Sequence, residues 1–214
     1  MSGFTNFAEN KLIDALLRGQ SVTFPAAVYI GLLTSTKGPR KDSTAYALND
    51  TISLVANDTK IHLYKCTTAG TTAAAQSTLY PGVANEAITD GTAVFTEQDS
   101  ALDAQTAGAW TEPTGTGYAR VKAAAGASQA LTDWKSTQND NSVSSGSGGG
   151  SSNTNAVTFG SPTADWGFVW GMLISDALTA GNNWMWGPLN NAKTINGGDS
   201  APSFLAGTLT PSIS

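Results

Sequence analysis

The chain carries a single cysteine, Cys66, and a single histidine, His62, in 214 residues. One thiol excludes an internal disulfide framework. One Cys and one His also fall short of the four ligands a structural zinc site takes, although His62, Tyr64 and Cys66 would share a strand face. No metal and no cofactor are expected. Only 13% of residues are charged, against about 25% in ordinary soluble domains. Eleven basic residues against sixteen acidic ones leave a net charge of -5. Sequence-independent nucleic-acid binding needs a basic face to displace counterions, so that class of partner is excluded. The one compact basic cluster, Lys37, Arg40 and Lys41, reads as a solvated loop. No apolar run approaches the ~18 residues of a membrane span, and Glu9 and Lys11 stand where a signal peptide needs an apolar stretch. The expectation is a chain made in a host cytoplasm, with no membrane partner.

What is abundant is glycine, 23 residues, set among Thr, Ser, Ala and Asn. That is the texture of a turn-rich, all-β protein. One helix is predicted over residues 4–17, where apolar residues recur at helical spacing and Asn6 with Glu9 forms a candidate capping box. In Val28-Tyr29-Ile30-Gly31-Leu32-Leu33 both faces are apolar, so this strand should be covered on both sides, with the helix a candidate cover for one of them. Short, weaker strands follow at 51–55, 60–67 and 92–96, the last entered through Asp90-Gly91. Residues 41–112 therefore read as an inserted small β-module that splits a core domain into 1–40 and 113–214. Residues 138–155 are a Gly/Ser/Asn-rich loop.

The final third alternates strand and turn: 156–160, 166–174, 184–186, a turn at Asn196-Gly197-Gly198-Asp199, then 204–213. Strict alternation would put Trp166, Phe168, Trp170, Met172 and Ile174 on one face of a buried strand, with Gly167 and Gly171 marking close approach on the other. The fold class expected is all-β: an antiparallel β-sandwich, jelly-roll-like, with an N-terminal α-helix and the inserted module.

Catalytic signals are weak. Asp165, Asp176 and Asp199 sit beside turns, where aspartate accepts backbone hydrogen bonds. Gly148-Gly149-Gly150 lacks the Lys-Ser/Thr of a phosphate loop. The tryptophans at 166, 170, 184 and 186 belong to a strongly apolar segment and read as core or subunit interface. Trp110 and Trp134, in polar surroundings, are the candidate exposed contacts. Tyr64, Tyr80 and Phe95 read as module core, with Tyr64 and Tyr80 also candidate glycan contacts.

Several blocks, in order, resemble a family of small tailed-phage virion proteins whose genes are labelled tail fibre or head decoration. They are Ser2-Gly3-Phe4-Thr5-Asn6-Phe7-Ala8-Glu9-Asn10-Lys11-Leu12, Val28-Tyr29-Ile30-Gly31-Leu32-Leu33-Thr34, Tyr118-Ala119-Arg120-Val121, Thr163-Ala164-Asp165-Trp166-Gly167, Lys193-Thr194-Ile195-Asn196-Gly197-Gly198-Asp199 and Phe204-Leu205-Ala206-Gly207-Thr208-Leu209-Thr210. The insert, through Tyr64-Lys65-Cys66-Thr67-Thr68-Ala69-Gly70-Thr71, Tyr80-Pro81-Gly82 and Ile88-Thr89-Asp90-Gly91-Thr92-Ala93-Val94-Phe95, is similar to a small β-module of phage tail and fibre proteins that is suspected of binding sugars in some relatives. The resemblance implies a non-enzymatic virion protein. Compactness, with no heptad or fibrous repeat, favours a capsid decoration (cement) protein that contacts the major capsid protein and copies of itself, as a trimer. The alternative is a tail-fibre or receptor-binding component that contacts tail proteins and host surface glycan through 41–112.

Overall fold

The computed structural model describes residues 3–76, 79–106, 109–145 and 148–212. In chain order its elements begin with β1 (Gly3–Phe4), α1 (Asn6–Leu17), β2 (Tyr29–Ser35), β3 (Ala45–Tyr46), β4 (Thr51–Val55), β5 (Ile61–Thr68) and β6 (Gly70–Thr71). Next come β7 (Ala87–Asp90), β8 (Ala93–Glu97), the short α2 (Asp99–Asp103), β9 (Val121–Lys122), β10 (Trp134–Lys135) and β11 (Ser152–Asn153). The chain continues through β12 (Val157–Thr158), β13 (Gly167–Ser175), β14 (Asn183–Ile195) and β15 (Ser203–Phe204). The expected all-β, antiparallel class with an N-terminal helix holds.

Two sheets organise these strands. A five-stranded sheet runs β1-β14-β13-β2-β9, and a four-stranded sheet runs β4-β5-β8-β7. β2 lies inside the larger sheet and is buried along nearly all its length, as its two apolar faces require. One face meets Val157, Phe159 and Leu209. The other meets Leu63 of β5 and Leu102 of α2, so the second cover comes from residues 41–112 and not from the helix. Those residues also hold a core of their own, with Tyr46, Ile52, Tyr64, Tyr80 and Phe95. Reciprocal bonds between Thr36 and Thr51, each backbone N–H donating to the other's hydroxyl at 2.8 Å, stitch β4 to the end of β2.

α1 starts one residue earlier in its capping than Asn6 implies. Thr5 is the N-cap: its Oγ1 accepts from Ala8 N and donates to Asn183 O at 2.6 Å. The same hydroxyl therefore starts the helix and ties it to β14. Only Ala8 of the helix is buried. Phe7 packs edge to face on Trp184, while Leu16 and Leu17 are 78% and 80% exposed, so the fold leaves open only the C-terminal end of the apolar face.

The alternating tryptophan segment forms β13, but its phase breaks. Pairing to β2 passes from Val169–Thr34 to Gly171–Leu33, which leaves Trp170 as the bulged residue. A bulge shifts a strand's facing by one. Met172 and Ile174 consequently join one core, while Phe168 and Trp170 lie with Leu173 against the other; Trp166, which precedes the strand, also packs in the first. Gly171 meets Gly187 O at 3.1 Å from where a Cβ would stand, as close approach predicts. Gly167 has open space around it and a φ of +82°, so backbone conformation is what requires glycine there.

The strand expected at 184–186 extends over thirteen residues as β14. Of the strand expected over 204–213, β15 covers only the start, Ser212 makes an isolated bridge to Gly150, and Ile213 lies outside the described residues. The 138–155 loop is fastened by pairing of β10 with β11. Its Gly146 and Ser147 also lie outside the described residues.

Candidate functional site

The densest polar cluster forms where β5, β8 and α2 converge. His62 Nδ1 lies 3.0 Å from Glu97 Oε1 and 3.2 Å from Asp99 Oδ2, and its Nε2 lies 3.2 Å from both Asp58 carboxylate oxygens. His62, Glu97 and Asp99 are all buried. Burial disfavours the imidazolium, but the hydrogen bonds and charges of Asp99 and Glu97, joined by Asp58, outweigh it and raise the pKa to about 10. The same pairing holds Asp99 down at about 2 despite its burial. Glu97 is pushed up by burial and by Asp99, while its oxygens accept the backbone N–H groups of Asp99 and Asn85. His62, Glu97 and Asp99 have the residue types and spacing of a metal-ligand trio. A protonated ring facing carboxylates on both sides instead works as an ionic clasp between the four-stranded sheet and α2. Cys66, expected beside His62, donates to Thr68 O from within the aromatic core.

A second clasp uses a residue expected to be solvated. The Arg40 side chain is only 6% exposed. Its guanidinium bonds Asp90, with Nη2 to Oδ1 at 3.1 Å, and Asp42. Asp90 Oδ2 also accepts from Tyr80 Oη at 2.7 Å, and Oδ1 from Ala73 N at 2.9 Å. Burial opposes ionisation of Asp90, yet Arg40 and Tyr80 hold its pKa below the usual carboxylate range. Beside the five-stranded sheet Arg120 bonds Glu112, with Nη2 to Oε1 at 2.6 Å, and reaches Ser175 Oγ and the carbonyls of Ala177 and Ala180. Gly31 leaves room for Glu112, whose Oε2 would stand 2.9 Å from a Cβ there. Neither clasp is visible in local sequence pattern. The only cue for His62 is its i,i+4 spacing from Asp58.

The four candidate contact aromatics scatter across the fold. Tyr64 and Tyr80 are fully buried and stack edge to face at 4.9 Å, with Tyr64 Oη donating to Pro81 O at 2.7 Å. Burial raises both phenol pKa values. Neither ring offers a face to a ligand in this structure. Trp110 is half-buried against Trp170 and its neighbours, and Trp134 is half-buried with Nε1 donating to Ala123 O at 3.2 Å. The polar residues around them in sequence are not their surroundings in space.

The turn aspartates behave as read. Asp165 accepts from Gly197 N, Asp176 from Asn182 N and Asp199 from Asn196 N, at 2.7–2.8 Å. The tryptophans are structural: Trp166, Trp170 and Trp186 are at most 3% exposed, and Trp186 Nε1 donates to Asp103 at 2.8 Å.

No curated protein matches the chain. A family model described as podophage GP4 fiber I protein gp80 matches residues 3–96 and 84–212. The described family is a fibre protein, which moves the weight from the capsid-cement expectation to its tail-fibre alternative. With nearly the whole length matched and the two sheets in place, the chain belongs to the podophage GP4 fiber I protein gp80 family and is a structural protein of the tailed-phage virion.

Proposed function

We propose that this protein is a non-enzymatic tail-fibre component in which residues 41–112 face the host. The observation that carries the reading is the fibre-family match across residues 3–96 and 84–212. The construction supports it. Two antiparallel sheets are joined through an apolar seam and locked by buried ion clasps, with no disulfide to be reduced. Such a body transmits load and presents a surface. Its partners on this reading are tail proteins and further copies of itself, a trimer among the assemblies to test. If host glycan is bound, exposed side chains of the 41–112 segment must do it, because Tyr64 and Tyr80 are enclosed.

Quantitative gel analysis of purified virions, with antibody labelling seen by electron microscopy, tests the reading. A few dozen copies or fewer, labelled at the tail, are expected. Hundreds of copies distributed over the head would overturn it in favour of the cement role.

A further inference from the structure

Buried carboxylates in this fold have cations beside them, with one exception. Among the described residues the buried acids are Asp90, Glu97, Asp99 and Asp133. Arg40 meets Asp90, and His62 meets Glu97 and Asp99. Asp133, 4% exposed, has no cation within ion-pair distance among the described residues. Its carboxylate accepts backbone N–H groups alone, from Ala125 on Oδ1 at 2.9 Å and from Ala130 on Oδ2 at 2.7 Å. A charge taken out of water calls for a partner, because burial removes its hydration. Asp133 also lines an open pocket of about 230 Å³. The apolar part of the lining is small: Ala123, Ala124, Ala125, Ala156 and Val157. Lys122 lines the pocket too, but its Nζ donates to Gly126 O at 2.5 Å and makes no ion pair with Asp133.

The Asp90 site shows what completes such an acid. Each Asp90 oxygen takes one other donor, Ala73 N on Oδ1 and Tyr80 Oη on Oδ2, and the Arg40 guanidinium then spans both oxygens. Asp133 has the same single donor on each oxygen, and a pocket in place of the guanidinium. A hard metal ion fits less well, since it takes about six or more oxygens, and Asn153, the buried amide in the lining, already commits its Oδ1 to Leu209 N. A guanidinium on a methylene stem matches a carboxylate set among alanines.

The chain has three arginines. Arg40 and Arg120 are enclosed in their own clasps. Arg18, at the end of α1, is 68% exposed and holds only Asp14, one turn back, at 2.8 Å. Exposed pairs of that kind contribute little, so Arg18 can be redirected at small cost. Leu16 and Leu17 stand exposed beside it. On the pocket side Leu131, two residues before Asp133, is exposed, as is Leu205, whose carbonyl accepts from Asn153 Nδ2 at 2.9 Å. Opposite charge and apolar surface thus occur on both halves of one contact. We infer that Arg18 of one copy enters the Asp133 pocket of the next, with Leu16 and Leu17 packing toward Leu131 and Leu205. The two halves are different surfaces, so the contact is heterologous and builds a ring or a longer assembly. It rests on the self-association named in the fibre reading and supplies its contact, whereas copy number and tail labelling decide that reading separately.

The test is sedimentation velocity of the full chain over a concentration series. The parent chain should self-associate. Arg18→Glu and, separately, Ala156→Trp, which fills the pocket from an exposed position, should each be monomeric with an unchanged Tm. Mixing these two variants leaves one intact contact, Arg18 of the second in the pocket of the first, so 1:1 dimers and nothing larger should form. Asp133→Asn should weaken association roughly thirtyfold or more, the loss expected when one partner of a desolvated charge pair is removed. Arg18→Lys should weaken it about fivefold, because the two-pronged fit is lost. If Asp133→Asn does not fold, the mixing experiment decides. A parent chain that stays monomeric at millimolar concentration, single variants that associate like the parent, or a mixture without dimers would overturn the proposal. So would a marked fall in Tm for Lys122→Met, which would make Lys122 the cation that serves Asp133.

Discussion

Replacing His62 with glutamine removes the one cation from a buried site that holds Asp58, Glu97 and Asp99. The ring's pKa is raised from 6.5 to about 10. A pKa raised on folding means that the protonated form favours the native state. Its contribution is full below pH 6.5 and is lost as pH rises through about 10. At ~1.4 kcal/mol per tenfold change in proton affinity, that interval corresponds to a ceiling of ~5 kcal/mol. Glu97 opposes part of it, because burial and Asp99 make its ionised form costly. The net loss for His62→Gln at pH 7.5 should be ~3 kcal/mol, the size found when one partner of a buried ion pair is deleted. In a chain of 214 residues this lowers Tm by ~6–12 °C. At pH 4 the gap should narrow, since the surviving carboxylates can take up protons. His62 is the only histidine, so long-range proton–nitrogen correlation spectra contain a single imidazole. Both ring nitrogens should remain protonated at pH 8. A titration midpoint between 6 and 7, or a Tm for His62→Gln within 2 °C of the parent at pH 7.5, would refute the clasp.

Arg40→Ala should cost ~3 kcal/mol in urea unfolding by stranding the buried Asp90, whereas the paired change Arg40→Met with Asp90→Leu should restore at least half of that loss; equal cost for the single and the pair would show that charge pairing is not the cause. Gly91→Ala should cost at least ~2 kcal/mol, because the residue has φ +66° and an added Cβ would overlap Thr71 O; an unchanged unfolding midpoint would place the β7–β8 turn elsewhere.

Sequence by itself determined the elements whose signal is local. Composition and turn residues announced an antiparallel β protein. The expected strands at 51–55, 60–67 and 92–96 lie within a residue of β4, β5 and β8, because their alternation and the Asp90-Gly91 turn are read within a few neighbours. The turn aspartates and the phage family were legible for the same reason: each is carried by contiguous residues. Tertiary structure decided what depends on convergence. A single bulged residue, Trp170, moved half of an alternating strand to the opposite core, and periodicity carries no mark of where a bulge falls. Thr5 displaced Asn6 as the cap because β14 supplies a carbonyl, that of Asn183, 178 residues away. His62 found Glu97 and Asp99 across a sheet, and Arg40 found Asp90 across fifty residues. Burial then set their charge states. Strand class is a property of neighbours in sequence; enclosure, charge and open edges are properties of neighbours in space.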